Sequence, residues 1–281
     1  MSWDMDFITE EQFREHVKNT IKKYGEKLEP YDIQKFNKNI IDPIKLLFDK
    51  SVYQETWREV FVSEIFRQRD KSNNNEIGYF HQRIFQYIKN CRVPPNGQEG
   101  GWDVIYQVPE GYTVVPGNVV HTIFSEVKNK HNTMNGSAGP KTYIKMQNQL
   151  LRNDDCCCFL VEAIAKKSQN VIWQTTVDKQ KVSHVRIRRV SIDKFYEIVT
   201  GDKYAFWKIC KVLPSVIDDV VNDAVNAIAP KDTVVEEMQM LASKFGDRSG
   251  DTETLMALYM LGFSTYEGFK EYFEKIEKER S

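Results

Sequence analysis

Apolar positions in the first third of the chain recur at helical spacing. Phe13, Val17, Ile21 and Tyr24 follow Thr9-Glu10-Glu11, which offers an N-cap and acids for a first turn. A second stripe runs through Ile40, Ile41, Ile44, Leu46, Leu47 and Phe48, with Pro43 opening or kinking it. A third uses Trp57, Val60, Phe61, Glu64 and Ile65. The polar run Lys71-Ser72-Asn73-Asn74-Asn75 reads as a break. A fourth helix then carries Ile77, Phe80, Ile84, Phe85 and Ile88 up to the loop Pro94-Pro95-Asn96-Gly97. Beyond that loop the period changes to two. Trp102 to Val108 reads as a strand ended by Pro109-Glu110-Gly111, and Val119 to Lys128 as a second, β-branched and apolar until its end. Gly139-Pro140 opens a helix to about Arg152, because proline suits a first turn. Cys156 to Ala165 is almost wholly apolar, as a strand buried on both faces is. Val171 to Val177 and Val182 to Val190 form a hairpin around Asp178-Lys179-Gln180-Lys181. Two helical stretches separated by Gly201-Asp202 end near Pro214. The remainder, to Ser281, is helical and amphipathic, broken at Ala229-Pro230 and around Gly246 to Gly250. The division predicted is a helical N-terminal region over 1–92 packed on the core, a catalytic core over 93–214 and a helical C-terminal region over 215–281, together one compact unit.

At 281 residues the chain is long enough for one large domain or two small ones. It opens with no signal-peptide pattern and has no apolar run of membrane length, which points to the cytoplasm of a bacterium or archaeon. The five cysteines do not form a disulfide framework. Cys156, Cys157 and Cys158 are adjacent, so alternation sends neighbours to opposite faces, and they read as small apolar residues of a buried strand. A net charge of −1 announces no nucleic-acid binder, so any attraction for DNA must be local.

The chemistry concentrates between the two expected strands. Asp103 lies at the start of one, and Glu126-Val127-Lys128 at the end of the next. Glu126 and Lys128 point to one face because side chains alternate along a strand. If the strands pair, Asp103 comes within metal-bridging distance of Glu126. Two carboxylates and an ammonium are what a Mg²⁺-dependent phosphodiesterase needs: the acids hold the metal and the lysine orients the attacking water. Asp103, Glu126 and the carbonyl of Val127 are the expected metal ligands, since magnesium prefers oxygen. Asp103, Glu126 and Lys128 are the expected catalytic residues. Glu126-x-Lys128 is the only Asp/Glu-x-Lys in the sequence. Glu162 reads either as a residue lining the far side of the site or as a strand-end acid.

Candidate DNA contacts flank this centre. Asn129, Lys130, His131, Asn132 and Asn135 have the short, polar character of a contact loop; His131 is a DNA contact in preference to a proton shuttle. Lys141, Lys145, Asn148 and Arg152 share a helix face, which is either solvated or a phosphate contact. In Val182 to Val190, alternation puts His184, Arg186 and Arg188 opposite Val185 and Ile187. The basic side then meets either bases, through arginine-guanine pairs, or phosphates and solvent.

Asp103, Glu126 and Lys128 resemble the PD-(D/E)XK nuclease signature. The string Glu126-Val127-Lys128-Asn129-Lys130-His131-Asn132-Thr133-Met134-Asn135 resembles one family of type II restriction endonucleases, whose members cut GGNCC or GGWCC, as do Gly100-Gly101-Trp102-Asp103 and Phe195 to Asp202. The likeness covers roughly residues 76 to 212 and departs from the signature in having Trp102 before Asp103. It implies an α/β fold: a restriction-endonuclease-like core, with a mixed central sheet flanked by helices and helical extensions at both termini. It also implies Mg²⁺, double-stranded DNA as substrate, 5′-phosphate products, a homodimer and a companion DNA methyltransferase. A structure-specific repair or junction nuclease of the same superfamily and a non-catalytic DNA-binding module are the rival readings.

Overall fold

The computed structural model describes residues 3–26, 30–131, 134, 137–224, 231–246, 250–265 and 269–280. They form two compact units, each built from two stretches of chain: residues 1–23 with 75–225, and residues 24–74 with 226–281. The three consecutive regions expected from the pattern are thus grouped differently. The break expected at Lys71 to Asn75 is absent, because helix α4 runs unbroken over Trp57–Arg83. Lysine, serine and asparagine carry only a weak penalty in a helix. Asn74 turns its amide back onto the Asp70 carbonyl (3.0 Å) and carboxylate (2.9 Å), within the same helix.

The first unit holds a six-stranded sheet in the order β1-β2-β3-β4-β6-β5. Its strands are β1 (Cys91–Arg92), β2 (Val104–Val115), β3 (Asn118–Lys130), β4 (Cys156–Ile164), β5 (Asn170–Val177) and β6 (Gln180–Ser191). β3 and β4 are parallel, as are β4 and β6, while the pairs β1–β2, β2–β3 and β5–β6 are antiparallel. This is the mixed sheet the resemblance implied. Helix α5 (Ala138–Arg152) is the crossover that a parallel β3–β4 pair requires.

β4 is buried along its length apart from its last residue, and its neighbours divide between two cores. Cys157, Phe159 and Val161 pack with Phe13 and Val17 of α1 (Glu10–Glu26), Phe195 and Tyr196 of α6 (Ile192–Thr200) and Ile209 of α7 (Ala205–Ala224). Cys156, Cys158 and Leu160 pack on the other face with Trp102 and with Tyr143, Met146 and Leu150 of α5. The cysteines are free thiols in this packing. The expected N-cap is present: Thr9 Oγ1 accepts from Gln12 N at 3.1 Å, and Gln12 returns its side-chain oxygen to Thr9 N at 3.0 Å.

The second unit is helical. α2 (Ile33–Lys38), α3 (Pro43–Tyr53), the start of α4, α8 (Val234–Ala242) and α9 (Asp251–Phe263) close around Phe36, Leu46, Phe61, Met238 and Leu258; α10 (Phe269–Arg280) completes it. Pro43 opens α3, where Asp42 caps Ile44 N at 3.0 Å. Only part of the expected second stripe is core: Leu46 and Ile41 are buried, while Ile40, Ile44 and Phe48 are exposed. Among the described residues no helix is long and apolar enough to cross a membrane. The break expected at Ala229-Pro230 lies outside the described residues.

Two prolines proved weaker stops than expected. α7 continues through Pro214, held by burial of Ala205, Ile209 and Val216, and the Ser215 hydroxyl caps the Val212 carbonyl at 2.9 Å. β2 continues through Pro109 because the ladder to β3 is interrupted there, between Gln107 and Tyr112, where a missing N–H is tolerated. Gly111 makes the bulge possible. Its φ is +79°, and a Cβ there would meet Val119 Cγ1 at 2.4 Å. Gly111→Ala is expected to destabilise the protein by about 1–3 kcal/mol, read as a lower midpoint in urea at unchanged slope.

Candidate active site

Three elements meet at one end of the sheet. The turn Gly100-Gly101, with φ of +76° and +70°, delivers Trp102 into the core on the α5 side. The Trp102 indole N–H donates to Gln149 on α5 at 3.3 Å. Asp103 then extends the β2–β3 ladder, its amide donating to the Ser125 carbonyl at 3.0 Å. Asp103 Oδ2 accepts from the amide of Val127 at 2.7 Å, which ties the first acid to the backbone beside the second. Glu126 and Lys128 share the α5 face of β3 as alternation required, and Lys128 Nζ donates to Glu126 Oε1 at 2.7 Å. The ammonium of Lys145, on α5, donates to the other oxygen, Oε2, at 2.6 Å. Asp103, Glu126, Lys128 and Lys145 therefore form one cluster.

Their ionisation differs. Burial opposes charge on Glu126, but the ammoniums of Lys128 and Lys145 overcome it and hold its carboxyl below the ordinary range. Burial and the negative charge of Glu126 push Asp103 up to about 6. A carboxyl so raised beside an ionised one favours a cation between them. Among the described residues no group of three or more His, Cys, Asp or Glu side chains could hold a metal. A pair of carboxylates fits Mg²⁺, which prefers oxygen and keeps several waters. The donor set thus suits the expected ion, with Asp103, Glu126 and the Val127 carbonyl as the groups to hold it.

A second cluster adjoins the first. Glu162, register partner of Lys128, is fully buried on β4, where its carboxylate pairs with Arg189 of β6. The His131 ring lies 3.0 Å from the same carboxylate, and Arg189 also donates to the His131 carbonyl at 3.0 Å. Glu162 is therefore a paired acid beside the site. Sequence reasoning missed Arg189 because alternation puts it on the face of Ile187, which reads as the apolar side of the strand. Ile172 pairs with Arg188 and Gln174 with Ser183, so a two-residue step on β5 faces five residues of β6. Alternation does not carry across it. Ile187 packs in the α5-side core, but Val185 packs against the opposite one, which corrects the single face expected for them.

The other basic residues of β6 lie away from the centre. Arg186 donates to the carbonyls of Asp154 and Cys156, at the end of β4 away from Glu162. Arg188 pairs across from Phe159 and donates to Asn170, at 2.5 Å to its side chain and 2.7 Å to its carbonyl. His184, disfavoured as a cation by burial and by Arg186, accepts from the Arg186 amide at 3.1 Å. These three are not brought to the acids. Asn129 and Lys130 continue β3 directly from Lys128, and Lys141 stands exposed on α5 one turn before Lys145. Asn132 and Asn135 lie outside the described residues.

The model of the Eco47II restriction endonuclease family matches residues 5–222. The chain belongs to that family. It is 31% identical over 223 residues to the type II restriction enzyme Sau96I of Staphylococcus aureus, covering 76% of this chain and 80% of the relative. It is 26% identical over 248 residues to the type II restriction enzyme Eco47II of Escherichia coli, covering 83% of this chain and 96% of the relative. The family is one of type II restriction enzymes, that is, site-specific deoxyribonucleases, and the match extends well beyond the span over which the short motifs carry the resemblance.

The raised Asp103 carboxyl has a thermodynamic signature. Its ordinary value is 3.8, against about 6 in the folded protein. Below the lower value the group is protonated in both states and exacts no penalty. As pH rises between the two values the unfolded chain releases its proton first, so stability falls, and above the folded value the loss is complete. In chelator at neutral pH, Asp103→Asn is expected to be more stable than wild type by about 1–2 kcal/mol, after allowance for partial solvent access. That gain is expected to vanish near pH 4, by denaturant titration at both pH values.

Proposed function

We propose that this restriction enzyme hydrolyses double-stranded DNA at a short G·C-rich palindrome, GGNCC or GGWCC, in a Mg²⁺-dependent reaction that leaves 5′-phosphate ends. The observation that carries the reading is the convergence of Asp103, Glu126 and Lys128 at one end of the sheet, with Glu126 held between two ammoniums. Mg²⁺ held by Asp103, Glu126 and the Val127 carbonyl would supply Lewis acidity and a more acidic bound water. Lys128 orients the attacking water and offsets charge that develops on the phosphoryl oxygens. The partly buried setting strengthens both effects, because fixed charges act more strongly where water is excluded.

DNA is engaged, in this reading, by the polar stretch that follows Lys128: Asn129, Lys130 and His131, with Asn132 and Asn135 beyond them, and by Lys141 and Lys145 of α5. We assign base reading to this stretch because it continues β3 directly from Lys128, whereas Arg186 lies toward the end of β4 away from Glu162 and Arg188 is held by Asn170. The site preference rests on the resemblance of the ten residues from Glu126 to Asn135. A host carrying such an enzyme must protect its own sites, so a companion DNA methyltransferase belongs to the same system.

Digestion of a mixed-sequence plasmid followed by mapping of the ends tests the reading. Discrete fragments sharing GGNCC or GGWCC at their ends are expected; structure-dependent nicking, or binding without cutting, would favour the rival readings. Asp103→Ala, Glu126→Ala and Lys128→Ala are each expected to slow cleavage by about a hundredfold or more while leaving the fold intact. Wild-type rates in any one of them would sink the assigned triad.

A palindrome is most simply read by a two-fold protein, so we propose a homodimer on DNA with one active site per strand. The second unit offers apolar surface for such contact: Ile44, Phe48 and Val52 at helical spacing on α3, and Val62 and Phe66 on α4, are all half or more exposed. Light scattering is expected to give a dimer mass on a cognate duplex in Ca²⁺, and Phe48→Glu with Phe66→Glu is expected to shift it toward monomer. A monomer mass for the wild-type protein on that duplex rules the assembly out.

A further inference from the structure

Lys145 differs from every other cation near the acids in how it is held. Its ammonium donates to Glu126 Oε2 at 2.6 Å and to the Gly101 carbonyl at 2.7 Å, and it lies 4.2 Å from the centroid of the Trp102 ring. Lys128 holds Glu126 Oε1 at 2.7 Å and no other partner among the described residues. Lys141, one helical turn earlier on α5, is exposed. The helix face that Lys145 shares with Lys141, Asn148 and Arg152 therefore contributes one residue to the acid cluster itself.

The charge count gives that placement a consequence. Two carboxylates and two lysines leave the cluster near neutral, with an ammonium on each oxygen of Glu126. A divalent cation that approaches Glu126 meets an ammonium on each oxygen, and their positive charge opposes it even where a second lone pair is open. Lys145 can leave Glu126 without leaving the site, because the Gly101 carbonyl and the Trp102 ring still hold it. An ammonium so tethered, freed from its carboxylate beside an incoming phosphodiester, meets a new anion. The phosphate compensates the charge that metal entry leaves over.

We propose that Lys145 is a second catalytic lysine: without DNA it occupies Glu126 and keeps the affinity for a divalent cation low, and with DNA bound it moves onto a non-bridging oxygen of the scissile phosphate. The proposal rests on the nuclease reading above and adds an ordering to it, in which metal and DNA strengthen each other's binding through one side chain. A residue that merely props the fold has no reason to oppose the metal.

The test uses the full chain and two neutral variants, Lys145→Met and Lys145→Gln. Calorimetric titration with Ca²⁺ alone, without DNA, is expected to show binding tightened by about fivefold or more in both, the lower end of an ordinary coupling. Single-turnover cleavage at saturating Mg²⁺ is expected to fall by about a hundredfold or more, as loss of one charge-stabilising donor does. Lys145→Arg, which keeps the charge, is expected to retain wild-type Ca²⁺ affinity and recover part of the rate. Ca²⁺ binding that is unchanged or weaker in the neutral variant that folds, or cleavage within a few-fold of wild type, overturns the proposal. If Lys145→Met does not fold, Lys145→Gln decides, since its amide can still donate to the Gly101 carbonyl. Wild-type protein that fails to cut DNA in Mg²⁺ sinks the underlying nuclease reading, whereas cutting by wild type and variants alike sinks only the role given to Lys145.

Discussion

Two carboxylates set side by side out of full contact with water are what this structure must accommodate. Each is costly to bury ionised, and each makes the other costlier. The local architecture answers that constraint. The paired glycines turn the chain so that Asp103 reaches the Val127 amide and the Gly101 carbonyl meets Lys145. Alternation on β3 puts Lys128 beside Glu126, and the α5 crossover returns Lys145 to the same carboxylate. The residual imbalance rests on Asp103, whose raised carboxyl marks where positive charge is still wanted. In the proposed nuclease reading, catalytic competence and local instability are one property: a site relaxed without a cation would have little reason to bind one.

Much of this was legible in the sequence because the signals were local. Period two around Glu126, near-continuous apolarity through Cys156 to Ile164, and proline in the first turn of α5 each fix an element within a few residues. The acids and Lys128 followed from spacing along strands that pair directly. In sequence Lys145 is only one member of a face with Lys141, Asn148 and Arg152, because its approach to Glu126 depends on how α5 crosses the sheet, which no short window contains.

What failed to be legible failed for identifiable reasons. Plain alternation on β6 puts Arg189 on the face of Ile187, which looks apolar in sequence and hides its meeting with buried Glu162, while the bulge hides the turn of Val185 toward the opposite core. Pro109 and Pro214 look like terminators in the sequence. One sits where the ladder is already interrupted, and the other in a helix whose buried face outweighs the lost hydrogen bond. The asparagine run resembles a loop in its polarity, although nothing in it forbids a helix.

The interleaving of the two units bears on how the chain acquires structure as it is made. Residues 24–74 complete their hydrophobic core only with α8 and α9, and the Tyr31 amide finds its acceptor, Asp232, at 2.8 Å across 201 positions of sequence. The sheet-bearing unit, by contrast, has all its segments by residue 225. During synthesis the nuclease core can close while Phe36, Leu46 and Phe61 still wait for the last fifth of the chain. Apolar surface held open for that interval invites non-native association. A truncation of the C-terminus would therefore strand residues near the other end, and the helical unit is better thought of as two halves that share a deadline than as a tail and a head.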